Sequence, residues 1–320
     1  MSPAGVGVVI VTYQSAGVIE RCLRSLRGVE QAVVVDNAST DHSATVARNT
    51  LLARVIANET NRGFAAAVNQ GVAALKTPLI LVLNPDVELQ AGFEESAPIV
   101  REALRPEVGL VGGRLEDEDG AYQEGFGVRA LPTPGALLAE ALLLNRVWPG
   151  NPWNRRYRCV GFDPSAAQDC EQPAGAFLLF RREIFERMGG FDEDFYPLWF
   201  EDVDFCWRIR AAGYRIRYEP TARGRHLGAH SIGSLSAANR HKAWYGNLLR
   251  FADKHFSTAE NLALRAAATV GLAVRGIGRG LTAGGIQEGR ACFHAIRTVW
   301  SRPHSFSRDA GGAFERTRAA

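Results

Sequence analysis

Three short stretches carry residue types able to do chemistry. At 84–86, Asn84-Pro85-Asp86 sets an amide and a carboxylate two residues apart, directly after the apolar run 79–83. Hard oxygen ligands suit magnesium or manganese, which proteins hold through one or two carboxylates while substrate phosphates complete the shell. The same tripeptide also reads as an ordinary turn, since Pro and Asp favour turns. At 200–204, Phe200-Glu201-Asp202-Val203-Asp204 packs three acids into four positions. On a helix, Glu201 and Asp204 are i,i+3 neighbours that repel mildly, while Val203, Cys206, Trp207 and Ile209 supply apolar faces. A carboxylate in a partly apolar setting has its pKa raised toward a range useful to a general base. Acids at a helix start equally well complement the helix dipole. At 225–231, Arg225-His226-Leu227-Gly228-Ala229-His230-Ser231 offers two histidines as metal ligands, diphosphate partners or plain surface residues.

The elements that must position these groups are legible in the apolar patterning. Residues 7–12 (GVVIVT), 32–35, 54–57 and 79–83 read as strands, the first and last as continuous runs of the kind buried on both faces. Residues 17–26 and 64–75 read as helices between them, and Ser39 or Thr40 stands ready to cap a helix after the second strand. This βαβαβαβ order predicts a doubly wound parallel sheet with its sites at the carboxyl ends of the strands. Thr12, Asp36 and 84–86 each end a strand, and Asn61-Arg62-Gly63 opens a helix whose free N–H groups suit an anion or a base edge. Further on, helices are expected at 93–104, 182–188 and 199–212 and strands at 108–112, 175–181 and 214–218. Residues 127–173, rich in Pro, Trp and Arg with weak periodicity, read as a long loop or lid. Gly5-x-Gly7 precedes the first strand and lacks a third glycine, which excludes a dinucleotide fingerprint.

Composition sets the outer bounds. The chain has 320 residues, 46% hydrophobic and 22% charged, as in ordinary globular proteins. Five scattered cysteines without CxxC spacing form neither a zinc motif nor a disulfide framework. No apolar run approaches a membrane span, and residues 1–11 lack the layout of a signal peptide, so a cytoplasmic location is expected. The net charge of +3 divides unevenly: residues 240–320 carry +8 and the remainder −5. Such a basic tail suits an anionic surface, whereas the sheet lacks the basic residues a nucleic-acid binder would need.

Together these pieces resemble the bacterial family-2 glycosyltransferases of the GT-A fold. The matching stretches are VVIVTYQS (8–15), VVDNASTD (34–41), NRGFAAAVNQG (61–71), LVLNPDVEL (81–89), GAFLLFRREIFERMGGFDEDF (175–195), EDVDFCWRIRAAGY (201–214) and HLGAHSIG (226–233), in family order. NPD, FDEDF before EDVD, and the His-rich segment are similar to the rhamnosyltransferase branch; WPGNPWNRRYR (148–158) is similar to a segment of the enzymes that add rhamnose to polyprenyl-diphosphate-linked N-acetylglucosamine. The resemblance implies an α/β GT-A domain over 1–235, with a doubly wound, mostly parallel sheet; residues 236–304 read as a C-terminal helical extension expected to associate with the membrane. Residues 305–320, polar and Gly-containing, are expected to be a disordered tail.

The resemblance also assigns roles. Thr12, Asp36, Asn61 and Gly63 line a nucleoside pocket. Asn84 and Asp86 stand where the family has its DxD motif, with Asp86 at a Mg2+ or Mn2+ ion. The first acid is an amide here, which leaves one fewer charge on the cation. Asp202 is the general base with Glu201 beside it, and His226, or its rival His230, completes the metal or diphosphate site. The implied reaction is inverting transfer of a sugar, L-rhamnose from its thymidine diphosphate donor in the first instance or a UDP-linked hexose as the alternative. The acceptor is a hydroxyl of a glycan or polyprenyl-diphosphate-linked sugar in cell-wall or surface polysaccharide synthesis. A nucleotidyltransferase would carry a Gly-rich basic loop after the first strand, and YQSAG (13–17) is not one; a non-catalytic nucleotide-sugar-binding module would not need the acids and histidine together.

The tail holds one more pattern. On a helical wheel of 261–281, Leu262, Ala266, Val270, Ala273, Val274, Ile277 and Leu281 share one face and Arg265, Arg275 and Arg279 the other, with Leu264 and Leu272 out of place. Such a helix lies in a membrane interface or packs its apolar stripe on the protein. Peripheral attachment to the cytoplasmic face of the cell membrane is the expectation.

Overall fold

The apolar runs at the front of the chain become strands closed off on both sides. In the computed structural model, which describes residues 5–94, 96–228, 236–282 and 285–301, β1 (Val6–Thr12) and β4 (Leu79–Leu83) are buried at every position. Successive side chains of a strand point to opposite faces. Val8 and Ile10 therefore join a core with Leu79, Leu81 and Leu83, with Ile19 and Leu23 of α1 (Ile19–Ser25) packed beneath. Val9 and Val11 join the other core with Ile80, Val82 and, from α3 (Phe64–Ala74), Ala67, Val68 and Val72. With β2 (Gln31–Asp36), α2 (Ser43–Asn49) and β3 (Arg54–Ala57), these elements alternate as expected, and the four strands run parallel in the order β3-β2-β1-β4.

The chain falls into two compact units. The described residues of 1–131, 158–193 and 201–231 form the first, and those of 132–157, 194–200 and 232–320 the second. In the first, the sheet continues from β4 through β10 (Phe177–Arg181), β6 (Val108–Glu116) and β11 (Arg215–His226) to β5 (Val87–Leu89), with β8 (Gln168–Asp169) against β11. β10 is antiparallel to both neighbours and β5 is antiparallel to β11, whereas β6 and β11 are parallel. A small second sheet pairs β7 (Val128–Arg129) with β9 (Gln172–Pro173). Helices α4 (Pro98–Ala103), α8 (Arg182–Arg187) and α9 (Glu201–Ala211) complete this unit. The helix expected from 93 begins only at Pro98, because a residue before proline avoids the helical region and Ala97 is extended.

Helices build the second unit. Three short ones, α5 (Pro134–Ala141), α6 (Leu144–Val147) and α7 (Pro152–Tyr157), lie within the stretch expected to be a loop or lid. At four to eight residues each they are too brief to show a hydrophobic period. Three long ones follow: α10 (Ala237–His255), α11 (Thr258–Gly280) and α12 (Ile286–Trp300). Ser236 caps α10, and Ser257 and Glu260 form a capping box on α11. His241 Nε2 meets Glu288 Oε1 at 2.9 Å and Cys292 Sγ at 3.6 Å, tying α10 to α12.

The faces of α11 are arranged the opposite way from a helix that hides its apolar stripe. Leu264 and Leu272, which looked out of place on the wheel, form the packed side together with Ala267 and Ala268. Arg265 lies inward too, held by Asp253 at 3.0 Å. Leu262, Val270, Val274, Ile277 and Leu281 are all more than half exposed. No helix among the described residues is long and apolar enough to cross a membrane.

Candidate active site

The carboxyl ends of β1 and β2 set the first polar pair. Thr12 and Asp36 are register partners in adjacent strands, and both are buried. Asp36 Oδ2 accepts the Ser39 N–H at 3.0 Å, while Asp36 Oδ1 and Thr12 Oγ1 have no hydrogen-bond partner among the described residues. Asn37 ties this edge to the start of α3 by donating to the Gly63 carbonyl at 3.0 Å. Asn61 Oδ1 accepts the Gly63 N–H at 2.9 Å, closing a local turn. Gly63 precedes α3 with φ of 84°, a left-handed conformation that glycine adopts without cost. Thr12, Asp36, Asn61 and Gly63 are thus brought to one edge of the parallel sheet.

The Asn84-Pro85-Asp86 turn lies on the same edge, at the end of β4. Asp86 is buried, and its Oδ1 lies 3.5 Å from His226 Nε2, at the end of β11, with no hydrogen-bond partner among the described residues. The β5–β11 register sets His226 opposite Val87, the residue after Asp86. Burial lowers the His226 pKa and outweighs the opposing Asp86 charge, so the neutral imidazole is favoured. Gln123 sets the tautomer: its Nε2 donates to the His226 carbonyl at 3.0 Å, so its Oε1, 2.9 Å from Nδ1, accepts the Nδ1 proton. The Nε2 lone pair then faces Asp86. Phe126 stacks on the imidazole at 5.1 Å and 7° and fixes its plane. A carboxylate oxygen without a partner beside an imidazole lone pair is a donor set that fits a divalent cation. His230 lies outside the described residues.

Asp202 and Glu201 open α9. Asp202 Oδ1 accepts the Val203 N–H at 2.8 Å, and Oδ2 accepts the Gly175 N–H at 3.0 Å and Gln172 Nε2 at 3.2 Å. The next residue in the chain, Ala176, uses its carbonyl to accept the Asn84 N–H at 3.0 Å. The dipeptide Gly175-Ala176 therefore holds Asp202 on one side and the Asn84-Pro85-Asp86 turn on the other. A Cβ on Gly175 would stand 2.9 Å from Asp202 Oδ2 and 3.0 Å from its Cβ, so only glycine fits this approach. Burial raises the Asp202 pKa, and the Val203 and Gly175 N–H groups and Arg129 pull it back down. Glu201 is pushed well above the ordinary carboxylate range by burial, then by the Asp202 charge, and its Oε2 has no partner among the described residues. Both carboxyls are thus raised, Glu201 well above the ordinary carboxylate range and Asp202 against the pull of its N–H donors and Arg129.

Four contacts here escaped the sequence reading: Gln123, Phe126, Gln172 and Gly175. The first three lie inside or beside the stretch read as a long loop or lid, and a lone glutamine or phenylalanine carries no spacing signal. Gly175 began an expected strand, and only the approach of Asp202 shows why it lacks a side chain.

Comparison with known proteins gives the family and the fold. The glycosyl transferase family 2 domain matches residues 7–189. The chain belongs to that family and is a glycosyltransferase. It is 34% identical over 275 residues to the N-acetylglucosaminyl-diphospho-decaprenol L-rhamnosyltransferase of Mycobacterium tuberculosis (strain ATCC 25618 / H37Rv), covering 78% of this chain and 84% of that one. Its fold is similar to that of the mannosyltransferase PcManGT from Pyrobaculum calidifontis in complex with GDP-Man and Mn2+, at TM-score 0.51 and 19% identity over 92% of this chain and 87% of the other. It is also similar to S. aureus TarS 1-349 in complex with UDP-GlcNAc, at TM-score 0.50 and 16% identity over 92% and 81%. The architecture is the expected GT-A one: a mostly parallel sheet flanked by helices, with further helices at the C-terminal end.

Proposed function

We propose that this glycosyltransferase moves L-rhamnose from a thymidine diphosphate donor to a hydroxyl of a polyprenyl-diphosphate-linked N-acetylglucosamine, in one inverting displacement assisted by Mg2+ or Mn2+. The relative whose name joins L-rhamnosyl transfer to N-acetylglucosaminyl-diphospho-decaprenol supports the sugar and the acceptor class. The observation that carries the reading is a row of buried oxygens along one sheet edge with no hydrogen-bond partner among the described residues: Thr12 Oγ1, Asp36 Oδ1 and Asp86 Oδ1. Each such acceptor costs about 1–3 kcal/mol when left unsatisfied, so three in a row mark a place where a ligand supplies the partners.

Thr12, Asp36, Asn61 and Gly63 bind the nucleoside, Asp36 accepting from the base or ribose. Asp86 and His226 hold the cation, with Asn84 beside them. When bound, a divalent cation there supplies positive charge against the departing diphosphate. Asp202 takes the proton of the acceptor hydroxyl on Oδ1, the oxygen with the single N–H partner. As that proton moves, the acceptor oxygen bonds to the anomeric carbon, the bond from that carbon to the diphosphate oxygen breaks, and its electron pair leaves with the nucleoside diphosphate. Glu201, protonated, keeps a second negative charge away from the reacting centre. Peripheral attachment to the cytoplasmic face of the membrane, through the exposed side of α11, brings the enzyme to its lipid-linked acceptor.

The test is a donor panel with purified full-length enzyme, Mg2+ or Mn2+ and a polyprenyl-diphosphate N-acetylglucosamine acceptor. Disaccharide formation from the thymidine diphosphate rhamnose donor alone is expected. Product from a UDP-hexose instead would overturn the donor assignment.

A further inference from the structure

We propose that the helical unit holds a second anion site, shaped for the phosphate groups of a phosphorylated headgroup. A cavity of about 280 Å³ lies within this unit, lined by three arginines from three separate helices: Arg146 of α6, Arg240 of α10 and Arg275 of α11. The single carboxylate on its wall is Glu140, which already accepts Asn145 Nδ2 at 2.7 Å. Arg275 Nε is buried with no hydrogen-bond partner among the described residues. Guanidinium groups present planar forks that match phosphate oxygens two at a time. Arg240 also meets Glu288 at 4.0 Å, so three guanidinium groups stand against two carboxylates and leave a positive surplus that an anion relieves.

Size and lining narrow the ligand. The cavity falls just below the roughly 300 Å³ at which pockets for drug-sized molecules begin, so it suits a headgroup and not a whole nucleotide sugar. Trp199 and Trp244 meet edge to face at 5.6 Å on its wall and give a flat apolar surface beside the charges. Helix α11 serves both halves of an amphiphile: it lends Arg275 to the cavity and keeps Val274 and Ile277 on its outer surface. Phosphate on an apolar carrier has two sources, the diphosphate of a lipid-linked acceptor and the headgroup of an anionic membrane lipid. The first of these rests on the acceptor class proposed above.

Inorganic pyrophosphate is the probe, titrated into the full-length enzyme in EDTA so that no cation draws it to Asp86, and read by calorimetry and tryptophan fluorescence. Saturable binding is expected, weakened about tenfold or more in Arg275→Gln and Arg146→Gln, as loss of a charge-assisted hydrogen bond implies. Asp86→Asn should bind as the wild type does. Exposed Arg146 gives a variant that folds even if Arg275→Gln does not, and unchanged thermal melting checks each. Equal affinity in wild type and both arginine variants, or no saturable binding, overturns the proposal. The sources separate in two further arms: a raised KM for the diphosphate-linked acceptor at unchanged kcat assigns the site to the acceptor, and reduced flotation with phosphatidylglycerol vesicles assigns it to lipid. Pyrophosphate binding that fails in an enzyme active in the donor panel removes the pocket alone. Binding that persists where no diphosphate-linked acceptor is glycosylated removes the acceptor reading alone.

Discussion

Glu201 and Asp202 are chain neighbours whose pKa values burial raises together, but their hydrogen bonding differs. Asp202 collects three donors on its two oxygens, whereas buried Glu201 Oε2 has none among the described residues. Asp202→Asn removes the basic oxygen and keeps the shape. Transfer should fall by about 10²–10⁴-fold, the usual worth of a positioned general base, while nucleotide binding measured by calorimetry stays at the wild-type level. Near wild-type turnover would take the base role from Asp202. For Glu201 the sign follows from linkage. The unfolded side chain titrates near 4.5 and the folded one well above it. Between those values the folded state holds the extra proton, so its contribution to stability is complete below pH 4.5 and is lost as pH rises toward the folded value. Glu201→Gln is neutral at every pH. Its melting temperature should exceed that of the wild type at pH 8, with the gap closing toward pH 4.5; a gap that widens on acidification would contradict the assignment.

At the scale of elements, what was legible depended on length and repetition. The strands β1 and β4 announced themselves as unbroken β-branched runs, and the polar residues that end them, Thr12 and Asn84-Pro85-Asp86, lie where a parallel sheet presents its edge. Asp86 and His226 are 140 residues apart in the sequence, and only the pairing of β5 with β11 brings them together. Turn chemistry misled at α2: Ser39 and Thr40 were available as caps, but the helix starts at Ser43 after a left-handed His42, with no side-chain cap. Ser39 instead gives its N–H to Asp36 and accepts the Gln14 N–H, so the short polar side chains serve the loop. The start of β10 makes the sharpest demand on one residue type. Gly175→Ala would push a methyl into Asp202, which is itself pinned by Val203 and Gln172. Overpacking of this kind costs about 1–3 kcal/mol, and displacing a reacting group by about 1 Å costs about 10²-fold in rate. Gly175→Ala should therefore lower kcat far more than it raises the KM for donor, a split that steady-state kinetics reads directly. Equal losses in both would point to general damage to the fold.

For the molecule as a whole, the open question is what meets the outer side of α11. Charge pattern alone pointed to a basic face on anionic lipid, but two of the three arginines turn inward: Arg265 to Asp253 and Arg275 to the cavity. What remains outside is apolar. Val270, Val274 and Ile277 are 53%, 57% and 58% exposed, about one helical turn apart, and Leu281 is 84% exposed just past the helix end. A stripe of this kind gains roughly 25 cal/mol for each Å² taken from water, and a bilayer interface is the apolar partner that the proposed polyprenyl-linked acceptor would call for. Hydrophobic insertion predicts a specific response to salt. Flotation of the full-length enzyme with vesicles should persist at 1 M NaCl, where the Debye length is about 3 Å and attraction by surface charge is screened. The double variant Val274→Glu with Ile277→Glu places two charges on exposed positions, so its melting temperature should barely move. Its flotation should be lost at every salt concentration, while turnover on a short-chain, detergent-dispersed acceptor is retained. If the variant floats as well as the wild type, the apolar side of α11 is not the membrane contact.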